Sequence, residues 1–184
     1  LYIVQETIRV YIWMMSNSKK LNDCLCCGNN KLKLVFDLGK QPLANSFKKT
    51  VTEMEESYPL AVQYCEDCSH LQLTDAVDPN IIFKNYLYVS GTTRTYVEYM
   101  DWYADFVCEQ FNVFPQSVLD IGCNDGSQLD KFKTRGLETF GVDPAENLFQ
   151  LSSKNHNVTC GYFDDKYSQP VDIITIQNAF AHNP

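Results

Sequence analysis

The spacing of apolar positions changes twice along this 184-residue chain, and the changes divide it into parts. From Leu21 to about Thr74 apolar residues come in short strand-like runs, Leu32 to Leu38 and Leu60 to Tyr64. Turn formers at Gly28-Asn29-Asn30, Gly39, Pro42 and Pro59 break them. Runs this short cannot bury a core that holds itself together. A mixed segment follows from Asp78-Pro79 to Phe83, and then an aromatic loop or short strand from Tyr86 to Thr92. Between Arg94 and Phe111 the period becomes helical, with Val97, Met100, Ala104, Val107 and Phe111 recurring at three and four residues, so a bridging amphipathic helix is predicted. Pro115 ends that connection.

From Ser117 onward strands alternate with helices. Ser117 to Ile121 reads as the first strand, Ser127 to Thr134 as the first helix with Gly136 beyond it, and Thr139 to Val142 as the second strand. Asn147 to Lys154 is a second helix, Val158 to Cys160 a short third strand, and Val171 to Gln177 an apolar, β-branched run suited to a buried parallel strand. This alternation implies an α/β fold with a right-handed, doubly wound sheet. A sheet of this kind normally has five or more strands, so the segment reads as a fragment, with the Val171 to Gln177 edge a liability for solubility.

Composition narrows the class. With 45% apolar and 13% aromatic residues the chain is globular, with room for one full domain and a small one. A net charge of -8 and a pI near 4.8 argue against sequence-independent nucleic-acid binding, which needs clustered Lys and Arg. Glu6 and Arg9 interrupt the apolar opening, so neither a membrane span nor a signal peptide is expected. Residues 1 to 14 read as translated upstream sequence, and 1–20 as a non-structural extension.

Four of the eight cysteines stand in two pairs, Cys24-x-x-Cys27 and Cys65-x-x-Cys68. Two such knuckles give four thiolates in a tetrahedron, and a bound Zn(2+) would supply the folding free energy that a small core lacks. The intervening residues 28 to 64 exceed the usual finger loop, so a ribbon with an inserted excursion is expected. Cys26 and His70 read as bystanders, Cys108 and Cys160 as core fillers, and Cys123 as a small packing residue. The pairing also favours a reducing cytoplasm over a secreted disulfide scaffold.

The chemistry of the second part centres on Asp120-x-Gly122-x-Asn124-Asp125-Gly126. Its spacing departs from the dinucleotide fingerprint and fits an S-adenosylmethionine turn. There Asp120 and Asp125 would serve the ligand's ammonium, by water or backbone, and amides after Gly122 its carboxylate. Asp143, about 20 residues past the turn at the end of the second strand, is placed to take both ribose hydroxyls. Phe163, in Tyr162-Phe163-Asp164, could meet adenine. Gln177-Asn178-Ala179-Phe180-Ala181-His182 puts an amide, Asn178, and an imidazole, His182, at the carboxyl edge of the sheet.

Several ordered stretches together carry a resemblance over about Cys24 to His182. They include Cys24-x-x-Cys27-Gly28, Asp37-Leu38-Gly39-x-Gln41-Pro42-Leu43-Ala44-Asn45, Cys65-x-x-Cys68, Phe83-x-x-Tyr86-x-Tyr88-x-Ser90-Gly91-Thr92, Gly141-Val142-Asp143-Pro144-Ala145 and Asn178-x-x-Ala181-His182. The sequence resembles the zinc-containing sugar C-methyltransferases, which methylate a ring carbon of nucleotide-linked keto-deoxysugars. The resemblance implies a small zinc-binding domain at 21–76, an aromatic loop and linking helix at 77–114, and an incomplete Rossmann-like methyltransferase domain at 115–184. It also implies S-adenosyl-L-methionine as cofactor, a nucleotide-linked sugar as substrate, and catalytic roles for Tyr86 or Tyr88 and for His182. Ser69-His70 departs from the family's usual Gly and apolar residue. The family's proton-abstracting histidine, in a Tyr-x-Glu-His stretch, is not among these residues, so the segment by itself is expected to be inactive. An oxygen-directed methyltransferase, a non-catalytic zinc adaptor and a nicotinamide oxidoreductase are the competing readings.

Overall fold

The computed structural model describes residues 17–182, so the expectation for residues 1 to 14 lies outside the described residues. The chain forms two compact units, which divide between Ile82 and Phe83.

In the first unit β2 (Leu32–Pro42) pairs antiparallel with β3 (Ser57–Cys65), and β4 (Leu71–Leu73) pairs on the other side of β3. A separate ladder joins β1 (Ser18–Lys20) to β5 (Asp75–Val77), from Ser18↔Val77 to Lys20↔Asp75. Ser18 to Lys20 are therefore strand and not part of a non-structural extension.

Two expected breaks fall inside strands. Gly39 sits within β2 at φ 70, where the register shifts between Asp37 and Lys40, and the Asp37 carboxylate accepts its N–H at 2.7 Å. It makes a bulge, and the strand continues. Pro59 lies within β3 opposite Lys40. The register of β4 reaches only Val62 to Tyr64, so near Pro59 the strand has one neighbour and a missing N–H is tolerated.

The interior of this unit is thin. Leu21, Tyr58, Ala61 and Cys65 are buried, whereas Leu34, Val35, Phe36 and Leu38 along β2 are all exposed. Buried glutamines replace apolar contacts as fasteners. Gln63 donates to the carbonyls of Leu21 and Leu73 at 2.9 and 3.2 Å. Gln72 donates to the Asp23 carbonyl at 3.1 Å and accepts the Leu25 N–H at 2.8 Å, so it grips the backbone on both sides of Cys24. A short helix, α1 (Pro79–Phe83), crosses the division between the units.

The second unit is built on a parallel sheet of β6 (Ser117–Ile121), β7 (Glu138–Asp143), β8 (Asn157–Cys160) and β9 (Ile173–Thr175), ordered β8-β7-β6-β9. Third, second, first, fourth is the doubly wound order. The chain reverses direction across the sheet between β6 and β9, where open α/β sheets bind ligands. Helices α2 (Arg94–Cys108), α3 (Ser127–Thr134) and α4 (Glu146–Ser152) follow the sequence pattern closely. Val118, Leu119, Leu129 and Phe132 are fully buried, joined by Ala104 and Cys108 of α2.

Three details differ from the pattern. Phe111 lies past the end of α2 and is exposed, because the helix stops at Cys108. Cys160 is exposed on the edge strand β8 and fills no core. β9 is shorter than the run Val171 to Gln177. The Asp172 carboxylate accepts the backbone N–H groups of Gln116 and Ser117 at 2.7 and 3.1 Å, and pairing begins only at Ile173. Ile174 on this edge strand is 60% exposed.

Arg135, just past α3, fastens that helix to α2. It donates to the Asp105 and Asp101 carboxylates at 2.6 and 3.0 Å and to the carbonyls of Asp101 and Lys131 at 2.9 and 2.8 Å. Its guanidinium holds the Asp105 carboxyl below the usual range. Both carboxylates are solvated, so the energy is modest. Arg135→Ala is expected to destabilise the fold by about 1 kcal/mol in urea unfolding, and Arg135→Lys to recover little of it, because an ammonium cannot reproduce the fork.

Candidate functional site

In the first unit each cysteine pair closes a knuckle of the same design. The Gly28 N–H donates to the Cys24 carbonyl at 2.8 Å and the Ser69 N–H to the Cys65 carbonyl at 2.9 Å. Gly28 and Ser69 both take positive φ, 73 and 63 degrees. Ser69 therefore carries the left-handed strain that a glycine would avoid. The four Sγ atoms of Cys24, Cys27, Cys65 and Cys68 all lie within 4.8 Å of one another, with Cys24–Cys68 at 3.6 Å and Cys27–Cys65 at 3.7 Å. A Zn–S bond of about 2.3 Å gives a tetrahedron with edges of about 3.8 Å, so the cluster has the dimensions of a zinc site. The Cys27 backbone amide beside Cys24 draws its thiol down to about 7, whereas burial and the neighbouring sulfurs push the Cys27 and Cys68 thiols up. Cys26 is exposed and His70 offers its backbone carbonyl to the Cys65 N–H at 2.9 Å, and neither belongs to the cluster. Four thiolates close the coordination, which makes the site structural.

The second unit brings the remaining candidates to the carboxyl ends of β6, β7 and β9. Gly122 and Gly126 have φ of 79 and 85 degrees. A Cβ on Gly141 would stand 2.7 Å from Cys123 Sγ, so β7 must be bare there for the turn to lie against it. The turn's amides are largely engaged within the chain. Gly122 donates to the Val142 carbonyl at 2.8 Å, Asn124 to Asp143 Oδ2 at 2.8 Å, Gly126 to the Cys123 carbonyl at 2.9 Å and Ser127 to Asp125 Oδ1 at 3.1 Å.

Asp120 is 4% exposed and accepts the Thr175 hydroxyl at 2.7 Å, and burial pushes its carboxyl up to about 7, so its side chain is spent within the sheet and the expected service to a ligand's ammonium falls to its backbone or to water. Asn124 and Asp125 are turned toward the loop Tyr86 to Thr92. Asn124 Oδ1 accepts the Ser90 N–H at 2.9 Å, its Nδ2 donates to the Tyr88 carbonyl at 3.0 Å, and Asp125 Oδ2 accepts the Gly91 N–H at 3.0 Å.

Asp143 keeps its expected station at the end of β7. The N–H groups of Asn124 and Ala145 bind one oxygen each, both at 2.8 Å, and burial raises its pKa above the ordinary carboxylate value. Each carboxylate oxygen can take a second donor. A cavity of about 330 Å³ lies near the carboxyl ends of β7 and β8, lined by Val142, Thr159, Tyr162, Phe163 and Tyr167 among others. The Tyr167 hydroxyl is buried without a hydrogen-bond partner among the described residues. Tyr86 and His182 flank Phe83, each ring centroid 6.1 Å from it, and Tyr88 packs on Tyr86 at 6.5 Å. Asn178 lies past the end of β9 at a positive φ of 53 degrees.

Known proteins resemble parts of both units. The family described as "Putative zinc binding domain" matches residues 24–83. The chain is 28% identical over 133 residues to the C-methyltransferase NovU of Streptomyces niveus, covering 71% of this chain and 32% of that protein. That match is longer than either compact unit, so it spans both. The chain is a relative of methyltransferases. It is also 27% identical over 97 residues to an uncharacterized methyltransferase of Staphylococcus carnosus, covering 51% of this chain and 47% of that one. The chain thus spans about a third to a half of the length of these relatives. Among solved structures, the plantazolicin methyltransferase BpumL in complex with SAH shows 24% identity and a TM-score of 0.37, covering 42% of this chain and 33% of that one. Among the described residues no helix is long and apolar enough to cross a membrane.

Sequence reasoning missed three residues that organise this region. Asn147 brackets Tyr86, accepting its N–H at 2.9 Å and donating to its carbonyl at 2.8 Å. Gln177 accepts the Tyr99 hydroxyl at 3.1 Å and donates to Gln128 at 3.0 Å, and Gln128 in turn donates to the Met100 carbonyl at 3.2 Å. Isolated amides carry no periodic signal.

Two outcomes are expected. Metal analysis of protein purified without chelator should return one zinc per chain, and a chelator should unfold the first unit cooperatively, as read by loss of its strand signal; well under one zinc contradicts the site. Asp120 has a raised folded-state pKa, so its protonated form is bound more tightly in the native protein, and stability falls as pH rises from about 4 to 7. Asp120→Asn should remove that loss, and its advantage over the natural protein in urea unfolding should grow with pH to at most about 4 kcal/mol by pH 8.

Proposed function

We propose that the chain is the zinc and cofactor portion of an S-adenosylmethionine-dependent C-methyltransferase acting on a nucleotide-linked keto-deoxysugar in the cytoplasm. The observation that carries this reading is Asp143: a carboxylate at the rim of the parallel sheet, oriented by two amides and next in sequence to Val142, which lines an aromatic cavity. Its remaining acceptor capacity suits two ribose hydroxyls, and the face of Phe163 suits adenine. Relationship to a C-methyltransferase supports carbon as the acceptor, and the eight free cysteines suit a reducing compartment.

When bound, S-adenosylmethionine supplies a methyl group activated on sulfonium. The protein must then place a carbon beside a ketone in line with that methyl, help remove its proton and stabilise the enolate oxygen. Tyr86 and His182, flanking Phe83, and Tyr88, packed on Tyr86, are the groups this reading assigns to the reacting sugar. The zinc site holds the first unit in shape and takes no part in the transfer.

A second reading, a non-catalytic zinc adaptor, draws support from the engaged amides of the glycine turn. Calorimetry with S-adenosylhomocysteine separates the two. The zinc-loaded protein should bind, and Asp143→Ala should weaken binding at least tenfold, the loss of charge-assisted hydrogen bonds. No binding heat from folded protein favours the adaptor.

A further inference from the structure

The loop carrying Tyr86 and Tyr88 is held by side chains that reach its backbone from three places in the second unit. Asn147 takes both polar groups of Tyr86, Asn124 takes the Tyr88 carbonyl and the Ser90 N–H, and Asp125 takes the Gly91 N–H. Gly91 has no side chain to obstruct this, since a Cβ there would run into Ser127 and Asp125. Asn124 is 8% exposed and sits at φ 52, a conformation that turns its amide onto the loop. Its own backbone N–H is meanwhile held by Asp143. One residue thus touches the expected ribose ligand through its main chain and the tyrosine loop through its side chain.

We infer that Asn124 and Asp125 are positioning residues that hold the tyrosine loop on the glycine turn and couple occupancy at Asp143 to the order of that loop. The coupling rests on the cofactor reading given above; the holding of the loop does not. In this structure the buried amide spends its oxygen on Ser90 and its nitrogen on Tyr88, with one further bond possible at each. The motif that looks like a cofactor contact therefore serves the substrate side of the site.

Hydrogen exchange over residues 84–93, with and without S-adenosylhomocysteine, tests this in the natural protein, Asn124→Gly and Asn124→Asp. Glycine tolerates the positive φ, so Asn124→Gly removes the side chain without adding backbone strain. Its thermal midpoint is measured alongside, and Asn124→Asp, which keeps an oxygen for Ser90, serves if the glycine variant fails to fold. Without ligand, the Ser90 and Gly91 amides should exchange at least tenfold faster in Asn124→Gly, with Asn124→Asp between. The ligand should slow the loop in the natural protein and not in Asn124→Gly, while affinity changes less than threefold. An affinity loss of tenfold or more with unchanged loop exchange would make Asn124 a cofactor contact and overturn the inference, as would unchanged exchange with unchanged affinity. If the natural protein binds no ligand, the cofactor reading and the coupling fall together, and the ligand-free exchange alone decides whether the loop is held.

Discussion

The hydrogen bond from the Asn124 backbone to the Asp143 carboxylate is the constraint on which the second unit is organised. It ties the turn after β6 to the end of β7, so the two strand ends that frame the expected ligand site are fixed relative to each other. A charge-assisted bond of this kind contributes roughly 1.5–3 kcal/mol. Several sequence features exist to allow it. Gly122 and Gly126 supply the positive φ the turn needs, and Gly141 leaves room for Cys123. The Asn124 side chain, freed by that backbone conformation, then reaches the tyrosine loop.

The two units reach stability by different means. The second has fully buried Leu119, Leu129 and Phe132, along with Val118, and its helices cover the sheet in the manner of other α/β folds. The first has few fully buried side chains and a β2 strand exposed along nearly its whole length. There, buried glutamines align the loops and four thiolates at tetrahedral spacing replace the missing core. Loss of one thiolate should therefore disturb the first unit far more than loss of any one apolar contact within it.

Legibility in the sequence followed the strength of the local signal. Ser117–Ile121 and Ser127–Thr134 were readable to the residue, because a short run apolar but for Ser117 and Asp120 is followed by a glycine turn and a second glycine ends the helix. The four cysteines were readable because thiolate spacing is a covalent fact. Gly39 and Pro59 misled because a bulge and a locally one-sided strand accept residues that ordinarily end strands. Asn124, Asp125 and Asp120 were legible as important, but the groups their side chains meet were not. Their partners, Ser90, Gly91 and Thr175, lie 34, 34 and 55 residues away, and nothing in the spacing reveals which backbone a short polar side chain will meet.

The account turns on Asp143 as the residue that receives the sugar of the methyl donor, and a crystal structure with S-adenosylhomocysteine bound reads it most directly. The ribose hydroxyls should lie within hydrogen-bond distance of both Asp143 oxygens, about 2.5–3.0 Å, with adenine against Phe163. A ligand bound elsewhere on the unit, with Asp143 still held only by Asn124 and Ala145, would contradict it.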